Sequence, residues 1–284
     1  YLIVGSCLLR AIAEVLGEEI ATPEVISAWA AAYNQLADIL IGAESGLYEQ
    51  KAAAPGGWRG ERTFVLTAKV QESSEITSFY FEPADKGPIL LAEPGQYIGM
   101  KLILDGEEVR RNYSLSALAD NGQYRISVKR EPGGRVSNHL HHHVQIGDSI
   151  QLFPPSGDFY LTASDKPLVL ISGGVGITPT LAMLQAALQT ERPVHFIHCA
   201  RNGRAHAFRD WIDDLAKRHP QLKRFYCYDE DDGVSPPADK VGLLSEEQLA
   251  HWLPEQRDLD AYFLGPKGFM GAVKRHLKAL GVPD

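Results

Sequence analysis

No apolar run in this chain reaches the roughly 18 residues that a membrane-crossing helix needs, so no such span is expected. Basic residues are in deficit. Lys and Arg number 28 against 36 Asp and Glu, and a net charge of −8 argues against nucleic acid as a main partner. Cysteine is scarce: Cys7, Cys199 and Cys227 are odd in number and far apart. That spacing excludes a disulfide framework and a zinc site, and it points to a reducing cytoplasm. There is no internal repeat and no Gly-x-Gly-x-x-Gly fingerprint of the common dinucleotide fold. The chain opens on Tyr1 without methionine or a signal-like segment and enters an amphipathic pattern at once, so it is expected to be a fragment. What remains is an ordinary globular composition, 44% hydrophobic and 23% charged, long enough for two domains and a third partial one.

Three blocks differ in period. Residues 1–54 read as two helices. The first runs from Leu2 to about Val15 and stops near Gly17. The second has Thr22 as N-cap, Pro23 at the first helical position and Glu24 in the first turn. Its stripe of Val25, Trp29, Leu36, Leu40, Ala43 and Leu47 keeps helical spacing. Two helices cannot bury such stripes fully on each other, so this block needs partners. Ala52 to Gly57 reads as a linker. Residues 55–163 switch to period two, with Phe64, Leu66, Ala68 and Val70, then Tyr124, Ile126 and Val128, on inner positions. Turn signals recur at Pro94-Gly95, Asp105-Gly106, Asn121-Gly122 and Gly133-Gly134. Short strands with regular turns predict an antiparallel β-barrel. Residues 164–284 alternate strand and helix, starting from a continuous apolar strand at Leu168–Ile171, and predict an α/β domain on a parallel sheet. The acidic run Asp229 to Asp232 reads as a solvated loop.

Two segments about sixty residues apart carry chemistry. Arg111-Asn112-Tyr113-Ser114 lies on a strand-like stretch, and Gly173-Gly174-Val175-Gly176-Ile177-Thr178-Pro179 joins a buried strand to a helix. Together they suit an enzyme that holds a flavin beside a nicotinamide. An arginine pairs with a pyrophosphate, a tyrosine ring packs on the flavin, and a serine hydroxyl reaches flavin N5. The glycine turn brings a second pyrophosphate to a helix N-terminus, where free N–H groups favour anions. The first segment alone also fits an ordinary barrel strand. Pro179 in the first turn costs no helical hydrogen bond, and Thr178 can cap or bind phosphate. Tyr97 is a candidate to stack on the adenine or the flavin edge, or else a half-buried barrel tyrosine. Gly133, Gly134 and Ser137 form a turn before a helix opening near Ser137-Asn138, either an anion cradle or a plain β-turn. Gly265-Pro266 closes a strand where a nicotinamide or its ribose would lie, or is simply a strand-to-helix connection. His139, His141, His142 and His143 read as a surface cluster, because few share a helical face and no carboxylate or cysteine joins them at ligand spacing. Arg201 and Arg204 follow the second strand, where they either meet a 2′-phosphate or are solvated, and no acid ends that strand.

With these motifs in hand, the chain resembles the flavohemoglobins, the nitric oxide dioxygenases. The segments GQY, RNYS, VKREPGGRVSNHLH, SGGVGITPTLAML, HCARNGRAHAF and GPKGFM fall in the family's order. YLIVGSCLL, the helix carrying Trp29 and the junction at Gly56 to Trp58 set it apart from other ferredoxin-reductase-type modules. The resemblance implies a multi-domain protein: the C-terminal helices of an all-α globin (1–54), an FAD-binding barrel (55–163) and an NAD(P)-binding α/β domain (164–284). It implies oxidation of nitric oxide to nitrate with O2, with hydride passing from NAD(P)H to FAD and electrons then passing singly to a heme. By resemblance Tyr1 touches the proximal histidine of heme b and Glu44 completes that relay. Tyr97 and Arg111 to Ser114 are flavin contacts, and Gly174 to Pro179 are the nucleotide turn. In the family the heme histidine precedes Tyr1, and a terminal strand follows Asp284. Leu264 stands where a cysteine is usual, which bears on hydride transfer. This fragment is expected to carry mainly the NAD(P)H:FAD reductase half, as a cytoplasmic monomer. The alternative is a stand-alone flavin reductase serving a separate acceptor.

Overall fold

The computed structural model describes residues 1–119 and 121–283. The chain divides into two compact units, Tyr1–Ala54 and Pro55–Asp284. The first unit is a helix pair, α1 (Leu2–Leu16) and α2 (Pro23–Ala53). Gly17, at φ 74°, ends α1. The Thr22 hydroxyl accepts from the Val25 amide at 3.4 Å and caps α2, with Pro23 following. Gly5 lies so close to the Tyr33 ring that a Cβ would meet it at 2.5 Å, and the Tyr33 hydroxyl donates to the Tyr1 carbonyl at 2.7 Å. The expected stripe is not the packed one. Trp29, Leu36, Leu40 and Leu47 are 43–57% exposed, and Ala37 is the buried residue of α2. The face that meets α1 is the one with Tyr33 and Ala37, and Gly5 of α1 leaves room for the Tyr33 ring. The expected linker is also shorter, because Ala52 and Ala53 still belong to α2.

The second unit contains two sheets. Strands β1 (Arg62–Gln71), β2 (Ile76–Pro83), β3 (Tyr97–Leu104), β4 (Glu107–Ser114), β5 (Tyr124–Lys129) and β6 (Ser149–Leu152) form an antiparallel sheet in the order β4-β3-β6-β1-β2-β5. A bridge between Leu115 and Ile126 joins its two ends. Phe64, Leu66, Phe79, Phe81, Ile98, Tyr124 and Ile126 fill its core. The expected alternation along β1 breaks after Leu66, where the register to β2 shifts. One extra residue turns every later side chain to the other face. Val70 is therefore 43% exposed, and Lys69 points inward over the Phe79 ring. The Lys69 ammonium donates to the Leu140, His141 and Val144 carbonyls at 2.7–3.1 Å. It thereby closes the C-terminal end of α3 (Arg135–His142), whose last carbonyls lack helical partners. This helix begins two residues earlier than the sequence suggested. Its histidines do not all lie on the surface: His141 is half-buried, with Nε2 2.8 Å from the Val128 carbonyl.

The second sheet is parallel. Its strands are β7 (Leu168–Gly173), β8 (Val194–Ala200), β9 (Leu222–Tyr228), β10 (Lys240–Val241) and β11 (Asp260–Leu264), in the order β10-β9-β8-β7-β11. Strand β7 is buried along its whole length, as its unbroken apolar run predicts. Leu168, Leu170, Val194 and Phe196 face α4 (Ile177–Ala187) and α5 (Arg209–Arg218). Val169, Ile171 and Ile197 face α6 (Glu246–Trp252) and α7 (Lys267–Ala279). The order places β8 and β11 on opposite sides of β7. Its carboxyl end is thus the topological switch point, where ligands settle in open α/β sheets. Among the described residues no helix is long and apolar enough to cross a membrane.

A buried polar chain crosses this sheet. Ser172 Oγ lies 2.8 Å from His198 Nδ1, the His198 and His206 rings lie 4.5 Å apart, and His206 Nδ1 lies 2.7 Å from the Tyr228 hydroxyl. Burial pushes His198 down to about 3 and His206 well below its ordinary value. Unfolded histidine takes a proton near pH 6.5, so below that pH the unfolded chain binds protons the folded chain refuses. Stability should therefore be complete above about pH 6.5 and fall below it by up to roughly 1.4 kcal/mol per pH unit per histidine. Denaturant midpoints between pH 8 and 5 check this. A His198→Asn chain should show the shallower acid slope, and equal slopes would contradict the assignment.

Candidate functional site

The carboxyl ends of β7 and β11 meet through glycine. A Cβ on Gly176 would lie 2.5 Å from the Leu264 carbonyl oxygen, and one on Gly265 would lie 2.6 Å from the Phe269 ring and 3.2 Å from Gly173. Gly174 turns the chain at φ 55°, a left-handed conformation glycine adopts without strain. Helix α4 then starts without a side-chain cap. The Thr178 hydroxyl donates back to the Val175 carbonyl at 3.1 Å, so it neither caps α4 nor stands free as a donor. A 3-10 turn at Gly174–Gly176 leads into α4, with the Ile177 N–H donating to the Gly174 and Val175 carbonyls, so the amides of the turn itself carry the positive end of the helix dipole.

These amides open on a cavity of about 670 Å³ whose opposite wall is the antiparallel sheet. Of the expected residues, Arg111, Asn112, Tyr113, Ser114, Gly134, Ser137, Gly174, Val175, Gly176, Thr178, Pro179, Gly265 and Pro266 all line it. Ile177 does not, because its side chain is fully buried in the core. Tyr97 also stands outside the lining: it pairs with Ser114 across the strands and packs on Gly157. Gly133, at φ 72°, shapes the turn before α3 without lining the space. Tyr1 and Glu44 belong to the helical unit. There the Glu44 carboxylate hydrogen-bonds the Tyr1 phenol and holds its pKa above the usual value.

The cavity suits a long anionic ligand with a flat ring. Arg111, Lys129 and Arg135 face it against one acid, Glu131. Arg135 is engaged by Asp105 and Glu107 at 3.0 and 2.9 Å, whereas Arg111 donates only to the Arg110 carbonyl at 2.7 Å among the described residues. Helix α3, like α4, begins without a side-chain cap. Burial pushes the Tyr113 phenol up to about 12, so its ring stays neutral. Two uncapped helix starts, an uncommitted guanidinium and a neutral aromatic ring fit a dinucleotide bearing a flavin.

A second cavity of about 490 Å³ adjoins the first through Lys129, Gly173, Gly174, Val175 and Pro266, and it runs over the ends of β8 and β9. Arg201 lines it, but its guanidinium is paired with the Glu75 carboxylate. Arg204 is outside, with its amide held by Asp232 at 3.1 Å. The acidic run is not all solvated. Asp232 ties its own loop through Val234 and Ser235, and Asp229 lines the second cavity, where burial raises its pKa. Glu75 and Asp229 escaped sequence reasoning because each lies in a polar loop with no periodic signal. Among the described residues no cluster of histidine, cysteine and carboxylate is placed to hold a metal.

Comparison with known proteins agrees with this geometry. Residues 63–160 match the oxidoreductase FAD-binding domain, and residues 170–275 match the oxidoreductase NAD-binding domain. The flavohemoprotein of Pseudomonas putida is 74% identical over the whole of this chain, which spans 72% of that relative. The chain belongs to the flavohemoprotein family. Among solved structures, the FAD/NAD-binding domain of nitric oxide dioxygenase from Vibrio cholerae is 37% identical. It covers 80% of this chain and 96% of its own, with a TM-score of 0.72. The flavohemoglobin from Malassezia yamatoensis, solved with FAD and heme, is 29% identical and covers 98% of this chain and 70% of its own, with a TM-score of 0.82. This family member is an NAD(P)H-dependent oxidoreductase with FAD- and NAD-binding domains.

Gly176→Ala should push Leu264 away from the turn, costing roughly 1–3 kcal/mol as overpacking does, and raise KM for NADH. Thermal unfolding with steady-state kinetics measures both, and an alanine variant as stable as the parent would contradict the close approach.

Proposed function

We propose that this chain is the reductase part of a nitric oxide dioxygenase, with FAD in the first cavity and NAD(P)H reaching it from the second. The observation that carries this reading is that one cavity joins the end of β4 to the glycine turn of β7 and the Gly265-Pro266 turn. FAD, when bound, accepts a hydride from NAD(P)H and releases electrons one at a time. The chain's own residues bind and orient. Arg111 holds a flavin pyrophosphate together with the Ser137 amide in the first turn of α3, which the Gly133-Gly134 turn brings to the cavity. Tyr113 offers an aromatic face, Asn112 a polar edge and Ser114 a hydroxyl donor toward flavin N5. Tyr97 braces Ser114 from the neighbouring strand. The amides of the Gly174-Val175-Gly176 turn and of Thr178 receive the nucleotide pyrophosphate, while Ile177, whose N–H is bonded to the Gly174 and Val175 carbonyls, and Pro179, which has no N–H, shape the start of the helix. Gly265 and Pro266 border the nicotinamide. Leu264 also borders the cavity, at the position where a cysteine is usual in the family.

In the same reading, residues 1–54 are the last helices of a globin, 55–163 the FAD domain and 164–284 the NAD(P) domain. Supporting this are the unpartnered apolar face of α2, the contact of Glu44 with Tyr1, and the M. yamatoensis likeness over 98% of the chain. Residues 1–54 contain no histidine and so offer no imidazole to a heme iron. We place heme b and its ligand in the rest of the longer protein, which works on nitric oxide and O2 in the cytoplasm as a monomer.

Anaerobic NADH should bleach the flavin of the FAD-loaded chain. Arg111→Ala should weaken FAD retention by about 1.5–3 kcal/mol, the worth of a charge-assisted hydrogen bond. Full flavin occupancy after dilution would remove Arg111 from the cradle. In the full-length protein, NAD(P)H-dependent nitric oxide consumption should fall in step with flavin loss. Ser114→Ala should keep FAD and slow its reduction, because a donor matters most where charge develops. Stopped-flow reduction at the parent rate would exclude that role.

A further inference from the structure

The second cavity is lined by two cations and two carboxylates, and their pairing decides which nucleotide it accepts. A nucleotide whose pyrophosphate lies at the start of α4 has one cavity on each side. Its nicotinamide must enter the first, where the flavin motif is. Its adenosine then lies in the second, over the ends of β8 and β9. NADPH differs from NADH only by a phosphate on that adenosine ribose, so it needs an uncommitted cation there. Arg201 stands in the right place, yet its charge is taken by Glu75, which comes from the β1–β2 loop of the other sheet. Lys129 is the other cation, 4.0 Å from the second oxygen of Glu75 and 3.1 Å from Glu131. The loop is anchored on both sides. The Arg130 amide donates to the Glu75 carbonyl at 2.8 Å, and the Ser74 amide donates to the Arg204 carbonyl at 2.9 Å. Asp229 adds a second carboxylate to the same wall. A 2′-phosphate would meet repulsion from both acids and would have to pull Arg201 away from Glu75.

We propose that Glu75 is the specificity-determining residue of the nucleotide site: by holding Arg201 it keeps the adenosine cavity neutral and selects NADH over NADPH. The proposal rests on the reading of the second cavity as the nucleotide's. It assigns selectivity to a side chain outside the α/β sheet, so preference depends on how the two sheets meet.

The test uses the 284-residue chain, its Glu75→Gln variant and the Glu75→Gln/Arg201→Ala double variant. Calorimetric titration with adenosine 2′,5′-bisphosphate and with 5′-AMP isolates the 2′-phosphate without any turnover. The parent should gain little from the extra phosphate. Glu75→Gln should raise the bisphosphate-to-AMP affinity ratio roughly tenfold, the scale of one charge-assisted hydrogen bond. The double variant should lose that gain. With FAD loaded, the NADPH-to-NADH ratio of kcat/KM should move in the same order. A ratio unchanged in Glu75→Gln, including one where both ligands weaken together, overturns the proposal. A gain that survives in the double variant, or a parent that prefers NADPH, also overturns it. If neither nucleotide bleaches the flavin, the reductase reading fails instead, and the calorimetric arm still reads the role of Glu75.

Discussion

The backbone of Gly176 rests on the carbonyl of Leu264, and much of the site depends on that approach. It holds the start of α4 against the end of β11 and leaves the Gly174–Gly176 turn on the wall of the first cavity. A side chain at Gly176 or Gly265 would wedge the two turns apart. The amides would then no longer converge with the wall that carries Arg111 and Ser114. The order of the parallel sheet makes this approach possible. Only at β7 do the neighbouring strands lie on opposite sides in chain order, so only there do two strand-to-helix turns open toward each other.

The opposing wall has its own constraint. One extra residue in β1 carries Lys69 to the inner face, where it satisfies the last carbonyls of α3. The ammonium binds three carbonyls and lies over the Phe79 ring, which offsets its removal from water. The helix so fixed keeps its own uncapped start at the cavity. A register change more than sixty residues upstream in the chain therefore helps to aim a helix terminus at the ligand space.

Charge is arranged by purpose in the two cavities. The first leaves Arg111 without a carboxylate partner among the described residues. The second balances its cations with acids from two different loops. A pyrophosphate needs an exposed positive field, whereas discrimination at a ribose is better served by withholding one.

Much of the architecture was legible from residue order because its causes are local. Thr22-Pro23 starts a helix wherever it stands, an unbroken apolar strand must be covered on both faces, and glycine-rich turns between such strands and helices open toward anions. Most of the residues named on those grounds line the first cavity, whereas Ser127, Val128, Lys129, Glu131, Arg135 and Val136 line it without having been named as site residues. Tyr97 and Ile177 lie outside that lining, because a motif marks a neighbourhood and not which side of the backbone faces the cavity. The bulge in β1, the buried His198 and His206 pair, and the meeting of Glu75 with Arg201 had no local signature. Glu75 and Arg201 are 126 residues apart in the chain. Sequence alone determined which segments become strand, helix and glycine turn. Tertiary structure alone decided which charges neutralise each other, because a charge pair is set by distance in space and the chain's order carries no record of it.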